Sequence, residues 1–148
     1  MKAVLQRVSS ARVLVDTREV GAIDRGILAL VGVEQGDSQP DVDYIARKIR
    51  DLRIFEDPVG RMNLSLGEVS GAVLVVSQFT LLADCHKGRR PSFLAAAPPA
   101  EAKARYEAVA ERLRQDGLPV ATGEFQAMMQ VSLVNDGPVT ILLDSRRT

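Results

Sequence analysis

Cysteine and histidine are almost absent from this chain. Its 148 residues include one cysteine, Cys85, and one histidine, His86. A single cysteine cannot form a disulfide within the chain, which is typical of proteins kept in a reducing cytoplasm. Dedicated zinc sites draw several ligands from these two residue types, so we predict no metal site and no cofactor.

The chain also lacks a net charge and any long apolar run. Its 19 Lys and Arg residues balance 19 Asp and Glu residues, so a nucleic-acid partner would have to be bound by a local patch. The N-terminal stretch carries Lys2, Arg7 and Arg12 without the apolar core of a signal peptide, and no segment is apolar for long enough to cross a bilayer. We therefore expect a soluble, cytoplasmic protein with no membrane association.

Short β-prone runs dominate what is present. Hydrophobic residues make up 46% of the sequence, enough for one buried core, so we expect a single domain over residues 1–148. Two segments have the spacing of amphipathic helices, residues 40–51 and a longer helix that begins near Pro98 and ends at Gly117. The predicted strands are 2–8, 11–16, 19–23, 26–33, 71–79, 120–125, 127–134 and 138–143, with a turn at Ser9-Ser10. Because strands and helices do not alternate regularly, we predict an α+β fold with a largely antiparallel sheet.

The segment Asn135-Asp136-Gly137-Pro138 interrupts an alternating apolar pattern near the end of the chain. Asn, Asp and Gly favour a hairpin turn. Pro138 lacks the N–H that a returning strand donates, so it fits only at a strand's first residue, an edge or a bulge. The segment is therefore either the corner of a hairpin or a rigid pair of carbonyls that contacts a ligand.

Polar residues follow the apolar strand near residue 76. Ser77, Gln78 and Thr80 stand where that strand leaves the core, either satisfying nearby backbone or lining a site at the strand end. A hydroxyl nucleophile requires a base, and only His86, flanked by cationic residues, is available as one. A serine-hydrolase triad is therefore poorly supported, and any catalysis here depends on backbone groups or on the substrate.

A basic loop follows this stretch. Lys87, Arg89 and Arg90 precede Phe93, a combination that can hold a phosphate and stack a base, although short charge runs are usually solvated loops. Further along, Met128 and Met129 are adjacent, so on a strand only one of them can face the core and the other faces solvent, a partner or a pocket.

These stretches together, in this order, resemble the D-aminoacyl-tRNA deacylase family over essentially the whole chain. The motifs that carry the resemblance are Gln6–Val8, Arg53–Phe55, Met62–Leu64, Ser77–Leu81, Arg90–Phe93, Met129–Val131 and Asn135–Thr140. The resemblance implies a homodimer with a barrel-like core and two main helices. It also implies hydrolysis of the ester that joins a D-amino acid to the 3′-terminal adenosine of tRNA, with the L-ester spared.

The resemblance further implies a role for each motif. Ser77, Gln78, Phe79 and Thr80 would line the ester as catalytic residues. Gly137 and Pro138, joined by a cis peptide and supplied across the dimer interface, would exclude L-residues, and Met129 would form a wall of the same pocket. A pocket that rejects a side chain by contact with backbone should still admit glycyl-tRNA. Lys87, Arg89, Arg90 and Phe93 are the candidate contacts to the acceptor end of tRNA.

Four hypotheses about the function remain open at this point. In the one we favour, the 2′-OH of the terminal ribose assists water, N–H groups near Gln78 and Phe79 stabilise the oxyanion, and Thr80 only orients groups. A small-molecule esterase or amidase would instead use Thr80 or Ser77 as nucleophile. A non-catalytic RNA-binding module would use the basic loop alone. A similar fold attached to some archaeal threonyl-tRNA synthetases would clear a mischarged L-amino acid.

Overall fold

The structure is a computed structural model that describes residues 1–147. Eight strands and two helices follow one another as β1 Lys2–Val15, β2 Arg18–Ile23, β3 Gly26–Gly32, α1 Gln39–Asp51, β4 Phe55–Glu56, β5 Met62–Leu64, β6 Ala72–Ser77, α2 Pro99–Gln115, β7 Val120–Thr122 and β8 Gln130–Asp144. A 3₁₀ turn, Phe79–Leu82, follows β6 directly. The expected α+β class with two main helices is confirmed. No helix within residues 1–147 has the length and apolar character needed to cross a membrane.

One six-stranded sheet forms the centre of the molecule. Its order is β2-β1-β3-β6-β7, with β8 paired to the other side of β1, and β4 and β5 form a separate small sheet. The sheet curls until β2 approaches β7, where a Cβ on Gly21 would lie 2.3 Å from the carbonyl oxygen of Thr122. The result is a nearly closed, barrel-like sheet, as the resemblance implied.

Most of the strand pairs are antiparallel, but β6 runs parallel to both β3 and β7. The connections from β3 to β6 and from β6 to β7 contain α1 and α2, which return the chain to the same end of the sheet. Two crossover units are thus present in a sequence that does not show a regular alternation of strand and helix.

The predicted break at Ser9-Ser10 is wrong, because β1 is a single strand of 14 residues. Its first half pairs with β3 and its second half with β2, while β8 pairs along its whole length. The register against β8 shifts twice, between Gln6 and Val8 and between Val8 and Ser10. The two serines therefore mark a bulged region where β1 changes neighbour, and no turn is formed there.

Of the two alternatives left open for Asn135–Pro138, the corner of a hairpin is not formed. β8 is one strand of 15 residues, and all of it runs antiparallel to β1, from Gln130 opposite Leu14 to Asp144 opposite Lys2. Asn135 pairs with Val8 and Thr140 pairs with Gln6, so an advance of five residues along β8 is matched by an advance of only two residues along β1. The surplus residues form an outward bulge, and the turn-type residues accommodate that bulge.

Two apolar clusters lie on opposite faces of the sheet. Residues Ile27, Ala29 and Val31 of β3 pack toward the helices, whereas Leu28 packs toward the barrel interior with Val8 and Val13. Both faces of β3 are buried, which explains its continuous apolar sequence. Helix α2 is fixed to the sheet by a buried hydrogen bond in which the Tyr106 hydroxyl donates to the Val75 carbonyl, at 2.9 Å.

The two ends of the described chain meet at the loop before α1. The Met1 ammonium donates to Asp37 Oδ1 and to Ser145 Oγ, each at 2.8 Å. Both the Met1 and the Asp37 side chains are completely buried, and Arg146 Nη2 also donates to Asp37 Oδ1, at 3.0 Å. This arrangement ties β1 and the segment after β8 to α1.

Candidate active site

A cavity of about 720 Å³ opens where β6 ends. Ser77, Gln78 and Phe79 line it from the strand end, and Met129 and Phe125 line it from the segment between β7 and β8. The first turn of α2 closes a further side. Because β6 is buried on both faces as far as Val76, the chain first offers polar groups at Ser77.

Three consecutive backbone amides at this strand end have different partners. The Gln78 N–H donates to the Val31 carbonyl of β3 at 2.8 Å, and the Gln78 carbonyl accepts from Leu81 N–H at 3.2 Å. Within residues 1–147, the N–H groups of Phe79 and Thr80 have no acceptor. The donors available to a ligand are therefore those of Phe79 and Thr80. Gln78 N–H, named among the oxyanion donors from the sequence, is already used by the fold.

Among the described residues, 1–147, no base accompanies the hydroxyl groups of this site. Thr80 Oγ1 accepts a hydrogen bond from the Gln78 side-chain amide, at 2.5 Å. The ring of His86 contacts Asp84 Oδ1 at 2.8 Å and is 94% exposed, so it is engaged away from Ser77 and Thr80. The backbone N–H and the ring of His86 lower the pKa of Asp84 below its ordinary value. The arrangement does not contain the nucleophile and base of a serine hydrolase.

The basic loop begins beside this turn. Backbone hydrogen bonds between Asp84 and Ser92 close the loop at its base. Lys87, Arg89 and Arg90 are exposed, and none of them lies within ion-pair distance of an acidic group in residues 1–147. The ring of Phe93 packs edge-on against that of Phe79, with centroids 5.1 Å apart. Phe93 thereby links the base of the loop to the Ser77–Thr80 stretch.

The two adjacent methionines differ in burial, as expected. Met129 is partly buried and packs on the inner cluster, whereas Met128 is 90% exposed, and both border the cavity. The reason given from the sequence is wrong, because residues 125–129 are turns and irregular chain that precede β8. Phe125, which the sequence reasoning did not assign to the site, stacks on Tyr106 at 6.1 Å between centroids. Phe125 could have been identified from the sequence because aromatic residues are scarce in this chain.

Gly137 and Pro138 do not line this cavity. They lie exposed on the bulge of β8, joined by a cis peptide bond. Within one chain, the structure brings together Ser77–Phe79, Met129 and Phe93 and leaves the Gly137-Pro138 pair on another part of the surface.

Two side chains to which the sequence analysis gave no site role, Arg7 and Asn135, hold the bulge. Arg7, almost fully buried, donates through Nε to the Asp136 carbonyl at 2.8 Å and through Nη1 to the Ile54 carbonyl at 2.7 Å. Asn135 Oδ1 accepts from Val139 N–H at 2.9 Å, which closes the bulge on itself. A charged residue within the apolar sequence of β1 is the signal that could have identified Arg7.

Comparisons with known proteins find similarity over nearly the full length of this chain. A family model described as D-Tyr-tRNA(Tyr) deacylase matches residues 4–144. A curated relative from Anaeromyxobacter dehalogenans, named D-aminoacyl-tRNA deacylase, is 61% identical over 147 residues, covering 99% of each chain. Relatives with the same name come from Geobacter metallireducens, 60% identical over 98% of this chain and 96% of that one, and from Thermotoga petrophila, 58% identical over 99% of each.

Solved structures share the architecture. One described as c-Myc DNA Unwinding Element Binding Protein has a TM-score of 0.93 at 42% identity, over 99% of this chain and 100% of that one. Another, described as a probable eukaryotic D-amino acid tRNA deacylase, has a TM-score of 0.78 at 20% identity, over 96% and 97% of the two chains. The second likeness is one of fold.

Proposed function

The chain belongs to the D-Tyr-tRNA(Tyr) deacylase family, and from this premise we propose that the cavity at the end of β6 is its active site. The protein is a D-aminoacyl-tRNA deacylase, a hydrolase that cleaves the ester bond of D-aminoacyl-tRNA. The products are free tRNA and the D-amino acid, so the enzyme removes D-residues before translation can use them. The proposal concerns how its residues perform that reaction.

The observation that carries the proposal is the pair of free N–H groups of Phe79 and Thr80. Both stand at the start of the 3₁₀ turn, where Phe79 lines the cavity and Thr80 is the next residue, and neither has an acceptor within residues 1–147. When water attacks the ester, the carbonyl oxygen becomes an anion. Two preorganised N–H donors stabilise that anion. In this proposal Ser77 and the Gln78 side chain border the ester, and Phe79 and Thr80 act through their backbone.

The attacking group in this scheme is water, assisted by the substrate. The 2′-OH of the terminal ribose is next to the ester and activates the water or takes part itself. Thr80 Oγ1 holds the Gln78 amide and performs no covalent step. An aminoacyl ester is already reactive, so modest electrostatic stabilisation is sufficient without a dedicated base.

Chiral selection is assigned to Gly137 and Pro138 of a second copy of the chain. Their exposure on the bulge of β8, away from the cavity of their own chain, supports a role on a partner. β8 also exposes two large apolar side chains, Val134 before the bulge and Leu142 after it, as a strand that forms a homodimer interface would. Two backbone carbonyls would bind the substrate's α-ammonium and leave no room for an L side chain, while Met129 would bound the pocket.

The acceptor end of tRNA is assigned to the turn and the basic loop. Phe79 is 55% exposed and is supported by Phe93, so the pair offers an aromatic face to the terminal nucleotide. Lys87, Arg89 and Arg90 would contact the few phosphates next to it. Because binding would be confined to one end of the tRNA, we expect a shallow dependence of affinity on salt. The whole chain would act as one cytoplasmic domain in this scheme.

The first test compares D-Tyr-tRNA, L-Tyr-tRNA and Gly-tRNA as matched substrates. We expect hydrolysis of the D-tyrosyl and glycyl esters with the L-tyrosyl ester intact. Hydrolysis of all three would contradict chiral exclusion by Gly137-Pro138. Cleavage of free amino-acid esters at the same rate as aminoacyl-tRNA would favour the small-molecule esterase, and binding without cleavage would favour the RNA-binding module.

The second test removes one oxyanion donor. Phe79→Pro deletes the N–H, and proline is compatible with the backbone angles at the start of a 3₁₀ turn. Phe79→Leu is the matched control, because it also loses the ring but keeps the N–H. We expect Phe79→Pro to lower kcat by about 10²-fold more than Phe79→Leu. Equal activity of the two variants would contradict the assignment of this donor.

The third test measures the oligomeric state. The proposed homodimer predicts a mass in solution of twice the 16.1 kDa of one chain by light scattering. Leu142→Glu, at an exposed position of β8, should shift the mass toward one chain and lower activity together. A fully active enzyme at the mass of one chain would contradict the contribution of Gly137-Pro138 from a partner.

A further inference from the structure

We propose that Gly32 is a positioning residue for the reaction, because the absence of its side chain sets the orientation of the peptide that carries the Phe79 N–H. The inference rests on the proposed function, in which that N–H stabilises the oxyanion. Gly32 is the last residue of β3, is buried, and lies beneath the 3₁₀ turn.

The backbone conformation of Gly32 does not require glycine. Five glycines of residues 1–147 have a positive φ, and Gly32 is not among them. An alanine at this position would therefore be unstrained in its own backbone. The requirement for a small residue must come from the space around it.

That space is filled by the catalytic stretch. A Cβ on Gly32 would lie 2.9 Å from the Gln78 carbonyl oxygen, 3.1 Å from Leu81 Cβ and 2.6 Å from Leu82 Cδ2. The Leu82 contact involves the end of a flexible side chain, which can move. The Gln78 contact involves backbone, and that backbone is held on its other side by the hydrogen bond from Gln78 N–H to Val31.

The Gln78 carbonyl and the Phe79 N–H belong to the same planar peptide group. If a Cβ pushes the carbonyl oxygen, the plane rotates, since the Gln78 N–H is anchored, and the Phe79 N–H turns with it. Oxyanion stabilisation depends on donors aimed at the position where charge develops, so a small rotation weakens it. Binding of the tRNA end should change less, because the rings of Phe79 and Phe93 and the basic loop remain.

The test is Gly32→Ala, with Gly71→Ala as its matched control. A Cβ on Gly71 would lie 2.6 Å from Leu66 Cδ1, the same separation as Gly32 shows to Leu82 Cδ2. Gly71 precedes β6 at the end opposite Ser77, so its clash lies far along the strand from the turn. We expect Gly32→Ala to lower kcat for D-Tyr-tRNA by about tenfold to a hundredfold with KM changed by less than about threefold. Gly71→Ala should keep the kcat of the wild type.

A second variant separates the two clashes. In the background of Leu82→Ala the nearest contact of the new Cβ is removed and the backbone contact with Gln78 remains, so adding Gly32→Ala should still lower kcat. The Leu82→Ala background also allows the test to be made if Gly32→Ala alone does not fold. Recovery of full kcat in the double variant, relative to Leu82→Ala, would overturn the inference, since side-chain packing would then account for the whole effect.

A double-mutant cycle with Phe79→Pro provides the specific readout. Because that variant has no N–H to misalign, adding Gly32→Ala should cost little further kcat. Equal losses in both backgrounds would overturn the inference. If Phe79→Pro matches Phe79→Leu in kcat, the proposed oxyanion donor is wrong. If Phe79→Pro is impaired while Gly32→Ala keeps the kcat of the wild type, only the role of Gly32 is wrong.

Discussion

At the scale of single residues, the proposed active site relies on backbone groups more than on side chains. Of three consecutive amides, the N–H of Gln78 holds the turn to β3, and those of Phe79 and Thr80 have no acceptor within residues 1–147. The position of this stretch was predictable, because the apolar run of β6 stops at Ser77. Which N–H groups are free was not predictable, since that depends on the Val31 carbonyl, which lies far away in the sequence.

Thr80 gives a prediction at this scale. Thr80→Val keeps the shape and removes the hydroxyl, and Thr80→Ala removes both. We expect both variants to retain kcat/KM for D-Tyr-tRNA within about tenfold of the wild type, whereas loss of a true nucleophile costs about a thousandfold or more. The side chain is exposed, so water replaces it as acceptor for the Gln78 amide. A near-total loss of activity in Thr80→Val, with the fold intact by circular dichroism, would establish a nucleophilic threonine.

At the scale of elements, the apolar patterns predicted both helices and the strand segments of the main sheet, but they did not predict the small β4–β5 sheet or where separate strand segments join into one strand. The same turn-type residues occur in a hairpin corner and in a bulge, and the partner strand decides between them. Because β1 runs unbroken beside β8, the segment Asn135–Pro138 is accommodated as a bulge. The side chains that hold it, Arg7 and Asn135, act on backbone carbonyl and amide groups, and such contacts leave no periodic pattern in a sequence.

The contact between α2 and β6 gives the second prediction. Burial raises the pKa of Tyr106 to about 12. A raised pKa means that the neutral hydroxyl, which donates to the Val75 carbonyl, is favoured in the folded state. Its contribution to stability is therefore complete below the unfolded pKa of about 10 and is lost as pH rises toward about 12, by up to about 2–3 kcal/mol.

The measurement is urea unfolding from pH 8 to pH 11.5 in the wild type and in Tyr106→Phe. The variant should be about 1 kcal/mol less stable near pH 8, because it lacks the hydrogen bond. The difference between the two proteins should shrink above pH 10, since only the wild type has this hydroxyl to ionise. A constant difference across the range would contradict the assignment.

At the scale of the whole molecule, the two ends of the described chain are joined through a buried charge pair. The Met1 ammonium and Asp37 are 2.8 Å apart, and both side chains are fully buried. Asp37→Asn would leave the ammonium and Arg146 without their shared carboxylate. Breaking one partner of such a buried pair costs about 3–5 kcal/mol. We expect that loss in the free energy of unfolding measured with urea.

Asp43→Asn is the matched control for this prediction. Asp43 forms an ion pair with Arg112 at 2.9 Å between α1 and α2, and its side chain is 43% exposed. Exposed pairs contribute about 0–1 kcal/mol, so this variant should remain close to the wild type. Equal effects of Asp37→Asn and Asp43→Asn would contradict the special role of the buried pair.

The pairing of β1 with β8 has a consequence for synthesis on the ribosome. Lys2 of β1 pairs with Asp144 of β8. The edge of β1 that pairs with β8 therefore stays uncovered until β8 has been synthesised. The earlier segments can pair among themselves while the chain is still emerging, because β1 meets β2 and β3 on its other edge. The bulge that carries Gly137 and Pro138 enters the sheet only at this final step. A nascent chain can thus form the turn proposed to bind the ester early, but it acquires the segment proposed to select chirality only once β8 has left the exit tunnel.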